Sequence, residues 1–270
     1  TSFVIQEAYR TARTNIIFSL ADSEDRCKSI CITSENASEG KTTTTLNLAI
    51  TFAQTGSKVL LIDADLRKPK IHQYLGVVKS DGLTTILSKQ KSFEDVVYHN
   101  LRPGLDCLTS GSIPPNPAEL LGSESMGELM KKLNKEYDYI LIDTPPVTVV
   151  TDAVALSSFV SGILLIVREG YTNYESIDQA LTLLKIAKAK LLGFFINDID
   201  ALSINYGSYR SGYGRKYKGR YGKYGSGSGG YGYNYGYGYG YGYGYSDDSS
   251  SIKKTEFDKY KNDSHESEVE

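Results

Sequence analysis

The sequence predicts an α/β fold: a mainly parallel sheet with helices on both faces. Three observations predict it. Short β-branched runs alternate with helical patterns over residues 1–205. Several runs are apolar throughout, as suits strands buried on both faces. Each run is bounded by turn residues, so strand and helix follow one another as in a parallel sheet.

The elements are expected in this order. A helix covers 5–21, where Ala8, Ala12, Ile16 and Leu20 recur at helical spacing. A strand covers 29–33 and a helix 43–54. Further strands cover 58–62 and 105–109. A long helix covers 117–137, opening on Pro117, and a strand follows at 139–142. A short helix over 153–158, a strand over 162–167, a helix over 174–188 and a last strand over 192–196 complete the series. Ligands of such sheets bind at the carboxyl ends of the strands.

Beyond residue 205 the composition changes. Residues 206–245 hold 14 tyrosines, 15 glycines and six Lys or Arg, with no acidic residue and no Val, Leu, Ile or Phe. Such a segment cannot bury enough aliphatic surface to offset its ordering entropy, so a disordered tail is expected. The net charge of −2 is the sum of −4 over 1–205, +6 over 206–245 and −4 over 246–270. The domains are thus a folded 1–205, a Tyr/Gly-rich 206–245 and an acidic, disordered 246–270. The basic block admits a nucleic-acid reading. It is set aside because the folded part is acidic and carries no nucleic-acid motif. Cys27, Cys31 and Cys107 form no CxxC pair and read as buried or edge thiols of a reducing cytosol. No apolar run reaches the ~18 residues of a membrane span, so membrane contact is expected only through a partner.

The chemistry sits at three strand ends. Between the first strand and its helix runs Ser34-Glu35-Asn36-Ala37-Ser38-Glu39-Gly40-Lys41-Thr42-Thr43, in the strand-to-helix context a phosphate loop requires. Backbone N–H groups from Ser38 to Thr43 would receive phosphates at the helix N-terminus. Lys41 would reach the β- and γ-phosphates of ATP, and Thr42 would be a magnesium ligand. Glu35 stands where such loops usually begin with glycine. The second strand ends in Asp63, with Asp65 two residues on. Their expected tasks are positioning magnesium and accepting a phenolic proton, tyrosine having a pKa near 10. A turn that caps the next helix is the alternative. The strand over 139–142 leads into Asp143-Thr144-Pro145-Pro146, with Asp143 as a second magnesium-associated carboxylate. Asn197 is read either as an adenine contact or as a plain turn residue. Arg168 lines the nucleotide site or forms an ion pair at its strand end. The histidines His72, His99 and His265 are scattered and form no catalytic set. The tail supplies acceptors: Tyr231, Tyr233, Tyr235, Tyr237, Tyr239, Tyr241, Tyr243 and Tyr245 alternate almost throughout with glycine. A phosphate donor site and a run of phenolic hydroxyls on one chain point to a tyrosine kinase that modifies its own tail.

Five stretches together resemble the bacterial tyrosine kinases of capsule and exopolysaccharide synthesis. They are Glu39-Gly40-Lys41-Thr42, Asp63-Ala64-Asp65-Leu66-Arg67-Lys68-Pro69, Pro115-Asn116-Pro117-Ala118-Glu119-Leu120-Leu121, Asp143-Thr144-Pro145-Pro146 and the tyrosine cluster. The fold implied is that of phosphate-loop NTPases. That family usually carries Pro-Gly where Ala37-Ser38 stand here. The resemblance implies that Glu7, Arg10 and Arg13 of the first helix mediate assembly into a ring, the bland alternative being a solvated charged face. It implies as partners a separate transmembrane activator and a cognate tyrosine phosphatase, hence a cytoplasmic kinase held at the inner face of the membrane. Two rival classes remain. Partitioning and positioning ATPases of the ParA and MinD type share the fold, but carry a lysine where this chain has Asn36. The second rival is a binding protein with a sticky low-complexity tail.

Overall fold

The computed structural model describes residues 3–21, 23 and 25–199. The tail, with its eight predicted acceptor tyrosines, lies outside the described residues. The elements in order are α1 (Phe3–Ser19), β1 (Lys28–Ser34), α2 (Lys41–Ala53), β2 (Val59–Asp63), α3 (Ile71–Leu75), α4 (Leu83–Leu87), β3 (Tyr98–Arg102), β4 (Leu105–Leu108), α5 (Pro117–Leu121), α6 (Glu124–Leu133), β5 (Tyr139–Asp143), α7 (Asp152–Leu156), β6 (Gly162–Arg168), α8 (Tyr174–Ile186) and β7 (Leu191–Asn197). A 3-10 turn, Ser157–Phe159, follows α7.

The strands form one sheet in the order β3-β4-β2-β5-β1-β6-β7. All neighbours are parallel except β3 and β4. All six predicted strands are present. The unpredicted one, β3, is half exposed and polar (Tyr-His-Asn-Leu-Arg), so it lacks the apolar run that marks the others. It is pinned through Asp106, which accepts from the Asn100 N–H at 2.8 Å and the Tyr137 hydroxyl at 2.7 Å and bonds His99 Nδ1 at 2.8 Å.

The central strands are buried on both faces, as their uninterrupted apolar runs predict. Alternate residues of β2 serve opposite layers. Leu60 and Ile62 join Met126, Leu129, Leu133 and Tyr137 beneath α6, while Val59 and Leu61 join Leu46, Ala49, Phe52 and Ile16 beneath α2 and α1. Beneath α8, Ala180 and Leu184 cover Ile163 and Leu165 of β6.

Two helical expectations are corrected. The single helix over 117–137 is two helices, α5 and α6, divided at Gly122-Ser123; the Ser123 hydroxyl caps α6 by accepting from the Met126 N–H. On α1 the apolar row bends: Ile16 and Leu20 are buried and Ala12 half buried, but Ala8 is exposed, and Tyr9 packs inward on Phe195 with ring centroids 5.5 Å apart. No described helix is long and apolar enough to cross a membrane.

Candidate active site

β5 lies between β2 and β1, and its last residue, Asp143, is in register with Asp63 on one side and Ile32 on the other. Three adjacent strands therefore deliver Asp63, Asp143 and the loop after Ser34 to one end of the sheet. The loop closes on α2 through Gly40, whose φ of +87° is left-handed backbone that glycine adopts without strain. A Cβ at Gly40 would lie 2.0 Å from Asn197 Nδ2, so space excludes a side chain as well. No side chain caps α2, whose N-terminus is the positive end of a 13-residue helix. Lys41 is buried at its first position. Thr43 is exposed on the same turn, and Ser38 is exposed with φ +67°.

Thr42 donates its hydroxyl to Asp143 Oδ2 at 2.6 Å, and Thr45 donates to Oδ1 at 3.3 Å. Burial pushes the Asp143 carboxyl up to about 6, against the opposing pull of Thr42 and Lys41. Asp63 is fully buried; one oxygen accepts from the Ile71 N–H at 3.1 Å, and the other has no partner. Burial, then the charge of Asp143, lifts it to about 8. Asp65 is half buried and accepts from the Lys68 N–H at 2.9 Å.

This set fits magnesium in one particular way. The unpartnered buried oxygen of Asp63 and the Thr42–Asp143 pair supply hard oxygen donors beside the loop. Among the described residues no group of three or more His, Cys, Asp or Glu could hold a metal by itself. Phosphate oxygens would have to complete the coordination, as is usual for magnesium at nucleotide sites.

The remaining predicted residues stand around the loop. Asn197 donates to the Glu39 carbonyl at 3.1 Å. Arg168 forms the expected strand-end ion pair, with Asp198 at 2.7 Å, and its other nitrogen donates to the Ser38 carbonyl at 3.4 Å. Glu39 turns its buried carboxylate away from solvent onto the Asn36 N–H and the Thr172 hydroxyl. Burial also raises the carboxyl of Glu35. Arg67 forks onto buried Asp152 through two bonds, at 3.1 and 3.0 Å, tying the Asp63–Asp65 segment to α7. Sequence reasoning missed Thr45, Thr172 and the Arg67–Asp152 pair. Thr45 was within reach, being one turn from Thr42 on the same helical face.

Glu7, Arg10 and Arg13 are away from this site, on α1. Glu7 and Arg10 form an exposed ion pair, but Arg13 donates to the Thr51 carbonyl of α2 at 2.6 Å within the same chain.

A family profile described as an AAA domain matches residues 27–193. The tyrosine-protein kinase YwqD of Bacillus subtilis (strain 168) is 47% identical over 191 residues, 71% of this chain and 80% of the relative. The chain belongs to the bacterial tyrosine kinases. The putative tyrosine-protein kinase CapB of Staphylococcus aureus shares 37% identity with the kinase over 193 residues, 72% of this chain and 84% of the relative. Among solved structures, the kinase domain of the Escherichia coli tyrosine kinase ETK superposes with a TM-score of 0.68 at 32% identity, covering 72% of the kinase and 77% of that chain. MinD of Pyrococcus horikoshii follows at 0.54 and 26%, over 63% and 70% of the two chains. The kinase thus shares its nucleotide-binding sheet with the ATPase switches and its closer likeness with protein-tyrosine kinases.

Proposed function

We propose that this tyrosine kinase transfers the γ-phosphoryl group of Mg-ATP to the tyrosines of its own tail, Tyr231 to Tyr245, chiefly between subunits of a ring. The observation that carries the proposal is the grouping of Lys41, Thr42, Asp63 and Asp143 at three adjacent strand ends, on a chain with 14 tyrosines in residues 206–245. The N–H groups of the loop and Lys41 bind and orient the phosphates. Magnesium, when bound, supplies charge neutralisation at the transferring group; Thr42, Asp143 and the free oxygen of Asp63 are the residues that would hold it. The MinD structure is itself a complex with Mg-ADP, which supports the metal. Asp63 and Asp65 receive the phenolic proton.

A 40-residue Gly-rich linker has an end-to-end reach of roughly 35 Å, and a tail of that kind would enter a neighbour's site in a ring. Each phosphate adds about −1.5 to −2 charge. A few would reverse the +6 of 206–245 and drive modified subunits apart. In this reading a transmembrane activator holds the kinase at the inner face of the membrane, a cognate phosphatase resets the tail, and the cycle regulates capsule or exopolysaccharide synthesis and export. The family resemblance supports each of these partners.

Intact mass after incubation with Mg-ATP tests the proposal. A ladder of phosphate additions mapping to residues 206–245, absent in Lys41→Met, is expected. No additions, even with the activator's cytoplasmic segment supplied, would return the protein to an ATPase switch with a sticky tail.

A further inference from the structure

We propose that Thr172, in the loop between β6 and α8, is a positioning residue for binding of the nucleotide phosphates. Its hydroxyl fixes the buried Glu39 carboxylate, and through it the backbone arc from Asn36 to Gly40 that receives the phosphates. This inference rests on the nucleotide reading of that loop.

Glu39 sets the problem. It is an acidic side chain, fully buried, in a loop that must admit an anion. A buried carboxylate is tolerated only when paired or hydrogen-bonded. Here one oxygen accepts from the Asn36 N–H at 2.9 Å, drawing the two ends of the arc together. The other accepts from the Thr172 hydroxyl. Thr172 Oγ1 in turn accepts from the Arg168 N–H at 2.8 Å. With that acceptor role filled by a backbone N–H, the single hydroxyl proton goes to Glu39. The chain Arg168 N–H to Thr172 to Glu39 to Asn36 N–H thus ties the end of β6 to the phosphate loop.

The loop needs such support. Ser38 and Gly40 both have left-handed backbone, at φ +67° and +87°. For a serine that conformation is strained and persists only where its surroundings impose it. Two further ties act on the same stretch: Asn197 on the Glu39 carbonyl at 3.1 Å and Arg168 on the Ser38 carbonyl at 3.4 Å. Thr172 is the one that reaches the buried carboxylate. It also precedes Asn173, the N-cap of the 13-residue α8, so the helix's positive end lies beside this acidic side chain.

The test uses the full chain with Thr172→Val, which keeps the shape and removes the hydroxyl, and Thr172→Ser, which restores it. Binding of a fluorescent ATP analogue labelled on the ribose and the ATP dependence of autophosphorylation are read together. A loop that cradles the nucleotide equally in ground and transition states affects KM rather than kcat. Thr172→Val is therefore expected to raise Kd and KM about tenfold with kcat within about twofold, and Thr172→Ser to behave as the parent. Glu39→Gln, which keeps size but weakens the acceptor, is expected to move both constants the same way by about threefold. Unchanged constants in Thr172→Val would overturn the proposal. So would a fall in kcat with KM unchanged, or a serine variant as impaired as valine. A parent that binds the analogue no better than Lys41→Met would instead overturn the nucleotide reading beneath it.

Discussion

Asp63 and Asp143 end paired strands in register, and the protein buries both at the expense of their ionisation. Both carboxyls titrate above the ordinary aspartate value of 3.8, Asp143 at about 6 and Asp63 at about 8. Proton binding therefore favours the folded chain. That contribution is complete below the unfolded value and is lost as pH climbs through about 6 and then about 8. Nucleotide-free protein in chelator should melt at progressively lower temperature from about pH 4 to about pH 8, most steeply below pH 6, and Asp63→Asn should remove the part of the fall between pH 6 and pH 8; thermal scans across that range check it. Magnesium with nucleotide should reverse the trend, since a bound cation favours the ionised pair. A second prediction concerns Gly40. Alanine there meets both a left-handed φ and the Asn197 amide, so Gly40→Ala should weaken ATP binding by at least tenfold, measured by calorimetry. The aspartates were legible in the sequence because each ends an apolar run, and the glycine because Gly40-Lys41-Thr42 stands between a strand and a helix. Thr172 was not: its partner Glu39 is 133 residues away, and no local pattern records a contact of that kind.

At the scale of elements, α1 packs on the core along one row and, under the proposed ring, would offer its charged face to a neighbour. Ile16 and Leu20 are buried against the layer that includes α2, while Glu7 and Arg10 face solvent as a pair. Ile16→Ala should cost about 2–5 kcal/mol in chemical denaturation. The double change Glu7→Ala and Arg10→Ala should leave the midpoint nearly unmoved and abolish any ring, read by sedimentation. Arg13, which the proposal also assigns to the ring, is tied within its own chain. Its bond to the Thr51 carbonyl means that Arg13→Ala should lower stability by about 1–2 kcal/mol as well as weaken assembly. Element type was legible wherever the apolar period was long or continuous, as in β2, β5 and β6. The short helices α3 and α4, five residues each, offer too little periodicity to register, and β3 has only Tyr98 and Leu101 against the core, with the Asp106 hydrogen bonds holding the polar residues between them. The break at Gly122 and Ser123 was written in the sequence as a glycine beside an N-cap serine, but the flanking helical patterns masked it.

Over the whole molecule, the candidate site and the hydrophobic layers that hold it lie within residues 3–199, whereas the predicted acceptors lie in 206–245. β7 links the two regions in sequence: it ends at Asn197, whose amide rests on the phosphate loop, and the chain continues from there toward the first tail tyrosine, Tyr206. Acceptors and site are therefore separable by mutation, which allows the direction of transfer to be determined. A chain ending after residue 205 should melt within about 2 °C of the full chain and retain ATP binding, because it keeps every core residue among the described ones. It should incorporate no phosphate in the tail region it lacks. Mixed with full-length Lys41→Met, which keeps its tyrosines but cannot use ATP, the shortened chain should phosphorylate the inactive partner. That reaction should slow when Glu7 and Arg10 are both replaced, because a tail confined to dispersed subunits meets a foreign site only by collision, whereas a ring holds it at the far higher effective concentration of a tethered ligand. If transfer were confined to each subunit's own tail, the mixture would give no phosphotyrosine on the inactive chain, and full-length kinase would modify itself at a rate per molecule that does not change with dilution.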